Sequence, residues 1–262
     1  MAEAHANGVD VLRHDWLVPE WPVSDRVRAF VTTRNGGVST GRYASLNLGF
    51  GAAGAAGDDP AAVAENRRRV VRTLPAAPTW LRQVHGTAVV EIDAPLREAP
   101  TADAAITRAP DTPLAVLAAD CLPVLLAARD GSVIGVAHAG WRGLAAGVVE
   151  RTLAAMACPA EQMVAWLGPC IGPEAFEVGA GVCDAFLSAD RDADACFRPL
   201  RDGKWLADLP ALARRRLAAA GVGAVSGGAW CTVQTPRRFY SYRRDGATGR
   251  MAAVLWLASD QR

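Results

Sequence analysis

From Leu114 to Ala139 the chain reads LAVLAADCLPVLLAARDGSVIGVAHA, and this stretch decides the fold. It holds three apolar runs, Leu114 to Ala118, Val124 to Ala128 and Val133 to His138. Each is too short for a typical helix. None alternates apolar with polar residues, as a strand with one wet face would. Short continuous apolar runs are the pattern of strands covered on both faces. Between the first two runs sit Asp120 and Cys121, and the third ends in His138.

Upstream, Ala104 to Thr107, Ala88 to Ile92 and Thr79 to Val84 read as further short strands. Arg26 to Thr33 alternates and reads as a first strand, closed by the turn residues Arg34-Asn35-Gly36-Gly37. Asp58-Asp59-Pro60 opens a helix running to about Leu74, with Asp as cap and Pro in the first turn. Downstream, a helix is expected from about Gly143 to Met156. A strand follows over Val164 to Leu167, then helices over Gly179 to Ala189 and Asp208 to Ala220. Lys204 to Leu206, Val222 to Val225 and Met251 to Leu257 close the sheets. Gly49 to Gly57, rich in Gly and Ala, reads as a flexible loop. There is no fixed-period repeat and no composition break. The expectation is an N-terminal arm (1–22) and one α+β catalytic domain (23–262) with mixed sheets and helices outside.

Of the 262 residues 51% are apolar and 21% charged, ordinary for a globular enzyme. A formal net charge of +1 gives no bulk electrostatic case for nucleic acid or an anionic membrane. No apolar run is long enough to span a bilayer, and Met1 to Asp10 lacks a signal-peptide pattern. A cytoplasmic location and a small-molecule substrate are expected, with oligomeric state unread. The six Cys form no C-x-x-C pair and read as reduced thiols.

The chain has four His, and His85 and His138 are the two outside the N-terminal segment. Gln83-Val84-His85-Gly86 and His138-Ala139-Gly140-Trp141-Arg142-Gly143 both place a His where an apolar strand gives way to a Gly turn. Taken alone, His85 could mark a hairpin edge, His138 a buried hydrogen-bonded residue and Cys121 a core thiol. Taken together, two imidazoles and a thiolate make a three-ligand zinc set whose fourth position is left for water or substrate. Such an open set suits catalysis better than structure. The long spacings match no zinc finger or ribbon, so tertiary folding must assemble the site. The helix after Gly140 is expected to point its positive end at it. Asp120, a carboxylate in an apolar stretch, needs a partner such as a metal or an Arg. The turn from Ser241 to Arg250 carries Arg243, Arg244 and Arg250. It reads either as an oxyanion or phosphate clamp or as a solvated hairpin. Arg34 and Asn47 are further polar candidates, and Arg67-Arg68-Arg69 reads as a solvated helix face.

These stretches together resemble the laccase-domain family, also called polyphenol oxidoreductase, purine nucleoside phosphorylase or peptidoglycan editing factor. The matching segments run in order: Thr32 to Ser39, Ser45-Leu46-Asn47-Leu48-Gly49, Glu65-Asn66-Arg67 and Gln83-Val84-His85-Gly86. Ala119-Asp120-Cys121-Leu122-Pro123, His138 to Gly143, Gly168-Pro169-Cys170-Ile171-Gly172 and Ser241 to Gly246 complete them. The resemblance implies an α/β/β/α sandwich similar to Cys–His deamidase toxins, in which Cys and His act as nucleophile and base. It places zinc on His85, Cys121 and His138, with copper as an adventitious or alternative metal. It implies phosphorolysis of adenosine, inosine, guanosine and methylthioadenosine, together with adenosine deamination. Cys121, His138 and Asp120 would be catalytic, and Arg34, Asn47, Gln83, Arg243 and Arg244 would bind the nucleoside and phosphate. The loop from Phe50 to Gly57 is longer than the family's. An amide hydrolase editing peptidoglycan precursors is the alternative, with Cys121 or zinc-activated water attacking the amide. A copper laccase fails on ligand count: a blue-copper centre alone uses two His and a Cys, and nothing remains for a trinuclear cluster. The zinc-deaminase signature H-x-E…P-C-x-x-C is also absent.

Overall fold

A computed structural model describes residues 15–51, 57–94, 96 and 98–259. In chain order the elements are β1 (Val27–Val31), α1 (Pro60–Val71), β2 (Thr79–Trp80), β3 (Val89–Glu91), β4 (Ala104–Thr107), β5 (Leu114–Ala118), β6 (Leu122–Ala128) and β7 (Ile134–Ala139). Then come α2 (Trp141–Ala145), α3 (Val148–Met156), β8 (Met163–Leu167), β9 (Glu177–Gly179), α4 (Ala180–Leu187), β10 (Phe197–Arg201) and β11 (Lys204–Ala207). The chain closes with α5 (Leu209–Ala219), β12 (Ala224–Gly227), α6 (Tyr242–Asp245) and β13 (Met251–Leu257).

The three apolar runs of the opening stretch do not stay together. β5 belongs to a four-stranded sheet of order β1-β13-β5-β2, whereas β6 and β7 form the centre of a six-stranded sheet, β12-β8-β6-β7-β4-β3. The step from Ala118 to Leu122 therefore carries the chain from one sheet to the other. Both sheets are mixed: β1–β13 and β6–β7 pair antiparallel, and β2–β5 and β12–β8 pair parallel.

Side-chain alternation explains the layers. Ala105, Leu125, Ala127, Ile134, Val136 and Val164 face inward from the larger sheet and meet Val27, Leu114, Val116, Ala253 and Leu255 of the smaller one. The alternate residues Ile106, Val124, Leu126, Ala137 and Ala165 face outward and are covered by Leu144, Val149 and Met156 of α2 and α3 and by Leu212 of α5. On the outer face of the smaller sheet Phe30, Val254 and Trp256 pack with Val70 of α1 and with Leu46 and Leu48. The result is the expected α/β/β/α sandwich, and it accounts for the apolar runs: each central strand is wrapped on both sides. Burying each such Val, Leu or Phe side chain contributes roughly 1.5–3 kcal/mol.

Several local expectations change. The helix expected from Gly143 to Met156 starts at Trp141 and breaks at Gly147, whose φ of +93° ends α2 and caps α3. The segment from Ser241 to Arg250 is not a hairpin. Its first part is the one-turn helix α6, capped by the Ser241 side chain accepting from the Arg244 N–H. Lys204 to Ala207 closes neither large sheet and forms a separate three-stranded sheet of order β10-β11-β9. Part of the proposed arm is packed: Leu17 bridges to Val31, and Trp16 is buried and stacks on Phe30 with centroids 4.7 Å apart. His5, His14 and most of the 50–57 loop lie outside the described residues. Among the described residues no helix is long and apolar enough to cross a membrane.

Candidate metal centre

His85, Cys121 and His138 meet at one end of the sandwich, their ligand atoms all within 4.8 Å of one another. His85 lies on the passage from β2 to β3 and Cys121 on the step from β5 to β6, so both stand where the chain changes sheets. His138 comes from the end of β7, with Pro123 of β6 as its register partner. Cys121 Sγ is 3.7 Å from His85 Nε2, and the two imidazole centroids are 4.8 Å apart with planes at 73°. His138 is buried, Cys121 half-buried and His85 exposed, so the cluster opens to solvent on the His85 side.

The residue that organises the cluster was not anticipated. Asp103, fully buried at the start of β4, sets Oδ1 2.9 Å from His138 Nδ1. The same carboxylate accepts the backbone N–H groups of Val84 (3.1 Å), His85 (2.9 Å) and Gly86 (2.6 Å). One side chain thus orients one ligand ring and folds the turn that carries another. Accepting from Nδ1–H leaves His138 Nε2 with its lone pair for the cluster, the usual arrangement behind a metal-bound His. The turn costs backbone strain. His85 has φ +60° and Asp120 φ +90°, a region in which non-glycine residues are uncommon. Such strain persists where the surroundings over-determine it, and here three converging N–H donors do so. A signal was present in the sequence: Asp103 opens an apolar strand, and the reasoning applied to Asp120 applies equally to it.

Burial would push Asp103 up, but the His138 and backbone hydrogen bonds outweigh it and hold the carboxyl below its usual range. In the metal-free protein burial likewise opposes charge on Cys121 and His138. The His138 and His85 interactions draw the thiol below its ordinary value, and the Cys121 and Asp103 interactions raise His138 above its own. Each partner thus favours the charged form of the other. Cys170, fully buried, moves the opposite way, well above the thiol range.

The other expected site residues are placed as a frame. Asp120 accepts from the Thr232 hydroxyl (2.5 Å) and from the Arg243 N–H (2.6 Å), so its partners are neither a metal nor a guanidinium. Gln83 exchanges two hydrogen bonds with the Leu117 backbone, tying the His85 turn to β5. Asn47 is buried and braces Gly49, Asp58 and the Arg250 N–H. Arg34 donates to the carbonyls of Ala44 and Pro236 and lies 4.7 Å over the Tyr240 ring. Arg243 donates to the carbonyls of Ala175 and Glu177. Arg244 donates to those of Thr232, Val233 and Phe239 and pairs with Asp245. Within the Arg67-Arg68-Arg69 run, Arg67 is half-buried, stacked over Phe50 and Trp80 with Nε donating to the Leu48 carbonyl.

The sequence profile of the family described as multi-copper polyphenol oxidoreductase laccase matches residues 28–258. The chain belongs to that family. A purine nucleoside phosphorylase of Pseudomonas aeruginosa is 51% identical over 243 residues, covering 92% of this chain and 98% of its own. The Escherichia coli purine nucleoside phosphorylase YfiH is 48% identical over 243 residues, covering 92% of this chain and 98% of its own. The crystal structure of a Neisseria meningitidis protein of the DUF152 family is similar at a TM-score of 0.89 and 48% identity, covering 94% of this chain and 100% of that one.

In this laccase-family chain the donor set fits a metal. Bond lengths near 2.3 Å to sulfur and 2.0–2.1 Å to nitrogen at a tetrahedral angle put S and N about 3.6 Å apart, against 3.7 Å between Cys121 Sγ and His85 Nε2. Space is kept for it by Gly140, where a Cβ would stand 2.9 Å from Cys121 Sγ and 3.1 Å from His85 Cδ2. The Gly140 backbone (φ −61°, ψ 158°) is open to any residue, so the need for Gly is purely steric. Gly140→Ala should therefore disturb the cluster at a cost typical of overpacking, about 1–3 kcal/mol. Elemental analysis should show metal lost from a protein that still melts cooperatively. Full metal content in that variant would refute the steric argument.

Thiol chemistry gives a second test. In metal-free protein iodoacetamide should modify Cys121 well before Cys170, and added metal should protect it. Equal labelling rates with and without metal would remove Cys121 from the ligand set.

Proposed function

We propose that the chain is a zinc-dependent purine nucleoside phosphorylase with His85, Cys121 and His138 holding the metal, and that adenosine, inosine, guanosine and methylthioadenosine are its substrates. The observation that carries this reading is the open His–Cys–His cluster backed by Asp103, in a chain about half identical to proteins named purine nucleoside phosphorylase. Two imidazoles and a thiolate suit zinc as well as copper. Zinc is favoured because both available imidazoles are spent in one cluster, and no further His among the described residues could build a multi-copper centre. Bound there, zinc supplies Lewis-acid stabilisation of developing negative charge.

In phosphorolysis a phosphate oxygen bonds to C1′ of the ribose, the bond from C1′ to N9 breaks, and the purine leaves with the electron pair and takes up a proton. The chain's residues supply placement. Asp103 fixes His138, the strained His85 turn presents the exposed ligand, and Asp120 anchors α6, leaving Tyr242 solvent-exposed beside it. Adenosine deamination belongs to the same proposal, but Asp120 could shuttle a proton only by releasing Thr232 or the Arg243 N–H.

A second reading rests on the line of Cys121 thiol, His138 imidazole and Asp103 carboxylate, which is also the arrangement of a nucleophilic hydrolase. Metal-loaded and metal-free protein should be given inosine with and without phosphate, adenosine alone, and a muramyl-peptide precursor. Ribose 1-phosphate formed only with metal and phosphate supports the phosphorylase. Hypoxanthine release indifferent to phosphate would defeat it. Amide cleavage by the metal-free protein would favour the nucleophilic thiol.

A further inference from the structure

Arg250 stands out among the cations of this end of the sandwich. Met251 pairs with Ala118, which places Arg250 immediately beyond the end of β5, at the level of the step that leads to Cys121. Its main chain is held by Asn47, whose Oδ1 accepts the Arg250 N–H at 2.9 Å, and by the Leu48 N–H, which donates to its carbonyl at 3.1 Å. Its stem crosses Gly49 so closely that a Cβ there would lie 2.8 Å from Arg250 Cγ. The Ser45-Leu46-Asn47-Leu48-Gly49 segment thus forms the seat of this arginine.

Arg250 is half-buried and forms no ion pair with any described residue. Nη1 donates to the carbonyls of Thr248 and Gly249, both at 2.9 Å, and Nε and Nη2 bond to no described residue. Cys121 and Asp120 lie near enough to act on it electrostatically. Asp120, however, has both oxygens engaged, and Cys121 faces the two imidazoles. A half-buried guanidinium with no carboxylate partner and two unbonded N–H groups is suited to an anionic ligand. Arg244 and Arg34 differ: Arg244 is spent on three carbonyls and Asp245, and Arg34 donates through both Nε and Nη1. Arg243, like Arg250, donates to two carbonyls through Nη1 alone, but it is exposed where Arg250 is half-buried.

We propose that Arg250 is the anion subsite of the metal centre and binds the phosphate group, as inorganic phosphate before the reaction and as the sugar phosphate after it. The proposal rests on the phosphorylase reading for the identity of the anion. The free Nε and Nη2 edge offers the two parallel N–H donors that suit a phosphate oxygen pair.

The test uses metal-loaded wild type, Arg250→Gln, Arg250→Lys and Arg243→Gln. Binding of inorganic phosphate and of ribose 1-phosphate is measured by calorimetry without nucleoside, alongside KM for phosphate, KM for inosine and metal content. Arg250→Gln should weaken both phosphates roughly tenfold to hundredfold and raise KM for phosphate in step, with KM for inosine and metal content unmoved. Arg250→Lys keeps the charge and the stem but loses the fork, and should fall between. It also carries the test if the Gln variant does not fold. Wild-type phosphate affinity in both Arg250 variants, or the loss appearing in Arg243→Gln instead, overturns the assignment. If phosphate binding depends on Arg250 but inosine is not cleaved, the subsite stands and the phosphorylase reading falls. If inosine is phosphorolysed and Arg250 does not matter, the reverse holds.

Discussion

His138→Ala should leave the purified protein without its metal and cut phosphate-dependent inosine cleavage by roughly 10²–10³-fold. That is the rate equivalent of losing about 3–4 kcal/mol of Lewis-acid stabilisation. The imidazole is the buried member of the trio, its Nδ1 2.9 Å from Asp103 Oδ1, while the His138 backbone N–H donates to the Asp103 carbonyl at 2.7 Å. Removing it also opens a void between Asp103 and Cys121. His85→Ala removes the exposed ligand and should lose the metal with less effect on melting. Measuring metal by elemental analysis and stability by denaturant melts separates the two. If both variants keep one metal per chain, the centre is elsewhere.

Asp103→Asn should do nearly as much damage without touching a ligand. The amide matches the carboxylate in size but has only one acceptor oxygen for three backbone N–H groups and a ring nitrogen. If the amide nitrogen turns to the His85 loop, it opposes N–H donors there. If it turns to His138, the ring must accept at Nδ1 and protonate Nε2, the atom needed for the metal. Metal affinity should fall about 10–100-fold, and unfolding free energy by about 1.5–3 kcal/mol, the range for a hydrogen bond to a charged group. Excess metal should restore part of the activity but not the melting temperature of the metal-free form. A variant that binds metal as tightly as wild type would show that Asp103 serves the fold alone.

What the sequence made legible follows from what each segment packs against. β4, β5 and β13 appear with the boundaries expected, because strands wrapped on both faces are apolar end to end and stop where the wrapping stops. β10 went unnoticed because Arg198, Leu200 and Arg201 stand exposed in a small outer sheet and carry no apolar pattern. The break at Gly147 was hidden because apolar residues recur on both sides of it and glycine alone does not distinguish a kink from a helix interior. The ligand trio could be assembled from scarcity of His and from strand-end position. Asp103 carries the same signal as Asp120, a carboxylate beside an apolar strand, but its partner His138 is set only by the fold, which brings β4 beside β7. The arginines of the 241–250 segment are visible as a group, but their hydrogen-bond partners differ: Arg243 and Arg244 reach carbonyls of other segments, whereas Arg250 bonds its own neighbours Thr248 and Gly249.

His85 and Cys121 lie on two of the crossings between the large sheets, and His138 lies on a strand of the larger one. A metal held by all three would act as a rivet through both layers, resisting any sliding of one sheet over the other. No two of these ligands share a local element, so a cation would find its full ligand set only in a sandwich already assembled. Loading would then follow folding, and a finished cavity rather than the unfolded chain would select the ion.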